Sequence, residues 1–176
     1  MQQIVREAGT SIGNAYFYFR NKEELLKTLL DESLRAAWQR IDPVVESVEP
    51  GAARIAVAVY ANIMTLLTTE KDIGAAAVNG APAVVRYLVQ ITWERLVGLF
   101  KVNFPDRKEK ELLMAAAAMG GANRTAIEFS LAGIIKVPPK ELGEYLLRWH
   151  MRALELPPRQ IDRVVKIAAA AFNDRV

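Results

Sequence analysis

Prolines and glycines punctuate this chain so that the runs between them are made of helix formers. Ala, Leu, Glu, Lys and Arg dominate those runs, and no stretch alternates apolar and polar residues as a half-buried strand would. The expected fold class is therefore all-α. Gly9 stops a first short helix from Gln2 to Ala8, because glycine tolerates the left-handed backbone that ends helices. Ser11 can cap a second helix running to about Phe19. Asn21 can cap a third, with Glu24 as its capping-box partner. The third helix carries Leu26, Leu30, Leu34 and Trp38 at i+4 spacing, and Asp42-Pro43 is expected to end it.

Longer helices follow. They are expected from Ala52 to about Thr69, from Pro82 to about Phe104, from an Asp106 cap to about Ile135, from Pro138-Pro139 to near Leu156, and from Pro157-Pro158 through Phe172. Lys71 to Gly80 reads as an irregular connector. The punctuation divides the chain into residues 1–41, short helices plus a connecting helix, and residues 42–176, a bundle of long ones.

A hydrophobic content of 52% with 24% charged residues describes a well-cored globular chain of 176 residues. The net charge of +3 permits a polyanionic partner without demanding one. No cysteine is available for disulfides or thiolate metal sites. No apolar run approaches a membrane span, and the first residues lack a signal-peptide pattern, so the expected location is cytoplasmic, with no membrane partner.

Two short helices joined by a glycine-containing turn form the pattern of a helix-turn-helix, whose second helix enters the DNA major groove. Ile12, Ala15 and Phe19 share one face of the second helix and are expected to pack on Ile4, Val5 and Ala8. Asn14, Phe17 and Tyr18 then face outward, with Tyr16 at the border. Thr10, Tyr16, Tyr18 and Lys22 suit phosphate oxygens, and the free N–H groups after Ser11 can receive another phosphate. Asn14 and Phe17 suit base edges, the latter against a thymine methyl. From spacing alone, a small helical corner with aromatic filler explains the same residues equally well.

The stretch "IVREAGTSIGNAYFYFRNKEELL" resembles the DNA-binding motif of the TetR family of bacterial transcriptional repressors. Ile4, Ala8, Gly9, Ser11, Gly13, Tyr16, Phe19, Lys22, Glu23 and Leu25 stand where that family's pattern places them. The resemblance implies that Thr10, Gly13, Tyr16, Phe17, Tyr18 and Lys22 occupy positions that touch DNA. It also implies a ligand-responsive repressor, binding a palindromic operator as a homodimer through long C-terminal helices. Ile12 departs from a usual polar residue and Ala15 from a usual Leu. The family's first helix would precede Gln2, so the head as written is expected to be truncated and to bind DNA poorly. An electrophoretic shift that is weaker for these 176 residues than for an upstream-extended version is the expected result. An equal shift would refute it. If the truncation is real, the alternative is a helical ligand-binding and dimerising protein without DNA-binding activity.

Under the same resemblance an effector site is expected between Ala52 and Ser130. Its polar candidates are Tyr60, Asn62, Tyr87, Asn123, Arg124 and Glu128, and its apolar walls Met64, Trp93, Phe100 and Met119. Arg124 and Glu128 could pair at i,i+4. The Ala/Gly-rich run around Gly120 and Gly121, with the helix bearing Leu142, Leu146 and Trp149, could form a two-fold interface or pack within one subunit. No catalytic or metal site is expected, and no cofactor. The single histidine, His150, reads as structural, and no Glu-x-x-His, G-x-S-x-G or phosphate loop is present.

Overall fold

The computed structural model describes residues 2–68 and 81–173, and among them the chain is helical with no strand. The helices are α1 (Gln2–Glu7), α2 (Ile12–Tyr18), α3 (Lys22–Glu46), α4 (Ala52–Thr68), α5 (Pro82–Asn103), α6 (Glu109–Leu131), α7 (Pro139–Ala153) and α8 (Pro158–Asn173). The connector expected at Lys71 to Gly80 lies outside the described residues.

Local chemistry sets the boundaries of the head. Gly9 takes φ +62°, and the Thr10 N–H donates back to the Val5 carbonyl at 2.9 Å, closing α1. The Asn14 N–H donates to Ser11 Oγ at 3.1 Å, and the Glu24 N–H to Asn21 Oδ1 at 2.8 Å. Glu24 reaches back one residue further than a standard capping box, accepting from the Arg20 N–H at 2.6 Å.

The third helix does not stop at Asp42-Pro43. It runs on to Glu46 with Pro43 inside it. A proline inside a helix costs roughly 3 kcal/mol. Here the final turn buries Ile41, Val44 and Val45 in the main core, and each such burial is worth roughly 1.5–3 kcal/mol, so packing wins. One consequence is that the division expected after residue 41 falls inside a single continuous helix.

The helix expected from Asp106 to Ile135 is shorter at both ends. Arg107 donates to the Leu154 carbonyl at 2.6 Å and lies over Phe104, which holds residues 104–107 in a turn. The helix begins after Lys108 without a side-chain cap. At the other end Gly133 adopts φ +69° and the Ile134 N–H donates to the Phe129 carbonyl at 2.9 Å, a glycine stop that sequence reading missed.

At the centre stands α4, which is buried all round. Residues Ile55 through Ala61 form an unbroken buried run, as expected for a helix enclosed by others. It packs against α3, α5, α6, α7 and α8. The last helix lies directly on it through Ile161, Val164, Val165, Ala168 and Phe172, with the Phe172 ring edge-on to Tyr60 at 5.8 Å. Gly143 of α7 sits so close that an added Cβ would lie 2.9 Å from Met64 Sδ and 3.1 Å from Tyr60 Cε2. A smaller cluster of Leu30, Leu34, Val84 and Leu88 joins α3 to α5.

Candidate DNA-binding head and ligand cavity

The head presents its aromatic row outward. Phe17 is 82% exposed, Tyr18 66% and Tyr16 51%. Phe17 and Tyr18 meet edge-to-face at 5.1 Å, while Phe19 turns inward and is half-buried. Thr10, Ser11, Gly13, Asn14 and Lys22 are also exposed, so all eight residues expected to face DNA lie on the surface. Asn14 is not a free base reader: its Nδ2 donates to Thr10 Oγ1 at 2.9 Å, leaving Oδ1 and one N–H for a further partner. The packing expected behind the motif is shallower than the spacing suggested. Only Val5 is buried, Ala8 is exposed, and Ile4 and Ile12 remain about 40% exposed. Helices of six and seven residues offer too little surface to enclose more than one side chain.

Below the head, α3, α4, α5 and α6 enclose a cavity of about 340 Å³. That is the lower end of the roughly 300–1,000 Å³ typical of small-molecule sites. Leu34, Trp38 and Ile41 of α3 form one wall, and Ala58, Val59, Asn62 and Leu66 of α4 another. Its lining residues Val89, Ala117, Gly120, Gly121 and Arg124 are solvent-exposed, so it opens between α5 and α6. Gly120 and Gly121, expected to mark a kink or a close helix approach, have open space where a Cβ would stand, and α6 continues through them unbroken.

Among the expected ligand residues, the cavity gathers Trp93, Asn123 and Arg124, together with Asn62. The others lie elsewhere. Tyr60 and Met64 face α7 and α8, where the Tyr60 hydroxyl is buried without a partner. Burial, then the Glu144 charge, raises its pKa. Tyr87 donates from its hydroxyl to Asp31 Oδ1 at 2.9 Å and so bridges α5 to α3. Glu128 lies outside the cavity and makes no ion pair with Arg124. Phe100 and Met119 are core residues.

Sequence reading missed Trp38, Asp42, Thr92 and Arg95. The Arg95 guanidinium stacks over the Trp38 ring at 4.7 Å and is ion-paired with Asp42, fastening α5 to α3 twice at the cavity wall. The i+4 stripe ending at Trp38 was the only available signal, because Arg95 meets its partners across more than 50 positions. Behind the wall, Asn123 Oδ1 lies 2.6 Å from Nε2 of the fully buried His150. A carbonyl oxygen only accepts, so Nε2 carries the proton and Nδ1, which has no partner, is bare.

Burial pushes the pKa of His150 from 6.5 down to about 4. The unfolded chain therefore takes up a proton near pH 6.5 that the folded chain refuses until about pH 4. This contribution is complete above about pH 6.5 and is lost as pH falls toward about 4, by up to about 3 kcal/mol. Replacing His150 with Gln, which keeps a donor for Asn123, is expected to flatten the stability profile across that window. Urea unfolding at about pH 7 and about pH 4.5 measures it.

Among the described residues, no group of three or more His, Asp or Glu side chains could hold a metal ion, and no helix is long and apolar enough to cross a membrane. Residues 1–29 match the family model of the bacterial regulatory proteins, tetR family. The match ends inside α3, so it covers the head and the start of that helix but none of the residues that line the cavity. No curated protein and no solved structure matches the chain.

Proposed function

From the chain's membership of the TetR family of bacterial DNA-binding regulators, carried by residues 1–29, we propose that it is a ligand-responsive repressor binding a palindromic operator as a homodimer. One observation carries the reading. The 25-residue α3 starts at the head with the Asn21 cap and ends in the cavity wall with Leu34, Trp38 and Ile41. A ligand that favours one placement of this helix shifts the head with it, and differential affinity for the two placements is all the mechanism needs.

Tyr16, Tyr18 and Lys22 take phosphates in this reading, and Phe17 lies in the groove. The homodimer reading is supported by an exposed strip on α6 and α7. Met114, Tyr145 and Trp149 are exposed there, and a groove bounded by Met114, Ala118, Trp149 and Ala153 runs between the helices. Two heads joined through such a strip would address half-sites roughly 34–36 Å apart, one turn of DNA. Light scattering on the full-length protein, alone and with its operator, tests the assembly. Two chains in both states are expected, and a monomer that stays monomeric on DNA would refute it.

A further inference from the structure

We infer that the cavity takes an amphiphilic anion: an apolar body bearing one carboxylate or comparable negative group. The inference rests on the ligand-responsive reading above and names its ligand class. The cavity's lining is mainly aliphatic and aromatic, with Trp38 and Trp93 among its walls, so most of the ligand must be apolar.

The polar lining leans one way. Among the described residues, Arg95 and Arg124 are the only charged ones that line it, and no carboxylate does. Arg124 has no ion-pair or hydrogen-bond partner among the described residues, although a guanidinium offers five donors. Asn123 has its acceptor engaged by His150, which leaves its amide N–H groups as what it can offer. Thr92 spends its hydroxyl proton on the Leu88 carbonyl at 2.7 Å. The unsatisfied groups among these residues are thus mostly donors with net positive charge, and a cationic ligand would meet like charge with no lining carboxylate among them to pair it.

Arg95 gives the anion a second effect. Its partner Asp42 belongs to α3, so a ligand carboxylate at the cavity wall competes with Asp42 for the same guanidinium. Binding would loosen one of the two ties that Arg95 makes to the helix that carries the head, while the Arg95–Trp38 stack remains.

The test is calorimetric titration of the full-length protein at neutral pH with decanoate, decan-1-ol and decylammonium, which share a chain and differ in charge. Decanoate is expected to bind about tenfold or more tighter than the alcohol, the scale of one charge-assisted hydrogen-bonded pair. Arg124→Gln, an exposed and partner-free position, should erase most of that advantage with an unchanged circular dichroism spectrum. Asp42→Asn should raise decanoate affinity several-fold by freeing Arg95, and no gain would overturn the role of Arg95 as an anchor. If the alcohol or the ammonium binds as tightly as decanoate, the anionic class is overturned and the ligand cavity stands. If none of the three binds, both the class and the ligand-responsive reading fall.

Discussion

Replacing Phe17 with alanine is expected to lower operator affinity by at least about 30-fold while leaving thermal stability unchanged. A base-edge contact is worth roughly 1–3 kcal/mol, and a homodimer on two half-sites forgoes it twice. The folded chain loses almost nothing, because Phe17 is exposed and its one ring contact is with Tyr18, which is exposed too. Exposed substitutions of this kind usually stay within about 0.5 kcal/mol. The combination separates two explanations of the aromatic row. If Phe17 were filler for a helical corner, the same change would lower the melting temperature and leave DNA binding alone. Fluorescence anisotropy on operator DNA and a thermal melt of the same preparation give both numbers. A companion change, Lys22→Gln, should weaken binding to all sequences alike and reduce the salt slope by about one for each phosphate it no longer neutralises.

The second large effect belongs to the core. Phe100 is fully buried where α5 meets the main cluster, with Phe104 edge-on at 6.2 Å. Phe100→Ala is expected to cost about 3–5 kcal/mol, transfer and cavity terms together. For a chain of this size that lowers the melting temperature by roughly 10 °C or more. Differential scanning calorimetry decides it; a loss of only two or three degrees would mean that neighbouring side chains collapse into the space. The residue lies outside the ligand cavity, so the effect should be the same with and without ligand.

The parts legible in the sequence were those governed by short-range chemistry. Ser11, Asn21 and Gly9 set helix ends through bonds that span three to five residues, and each does in the structure what its type and position predict. Where tertiary packing overrode a local rule, the sequence misled. Pro43 reads as a stop, but Ile41, Val44 and Val45 are buried deeply enough to carry α3 past it. Ligand residues were harder still. Periodicity shows that α4 has an apolar stripe, yet α4 is buried all round, and nothing local says which neighbour covers which face. Tyr60 and Met64 lie under α7 and α8, while Asn62, less than one helical turn from each, lines the cavity. Pairings such as Arg95 with Asp42 and His150 with Asn123 span 53 and 27 positions, and no motif announces them.

The central claim is that the head with its outward aromatics reads DNA as one half of a symmetric pair. In vitro selection of random duplex DNA with the full-length protein tests it most directly. The account predicts enrichment of an inverted repeat whose half-site centres lie about one helical turn apart, and loss of that enrichment in a Tyr16→Ala, Phe17→Ala, Lys22→Gln variant that still folds. Enrichment of no sequence, or of the same sequences by wild type and variant alike, would contradict it.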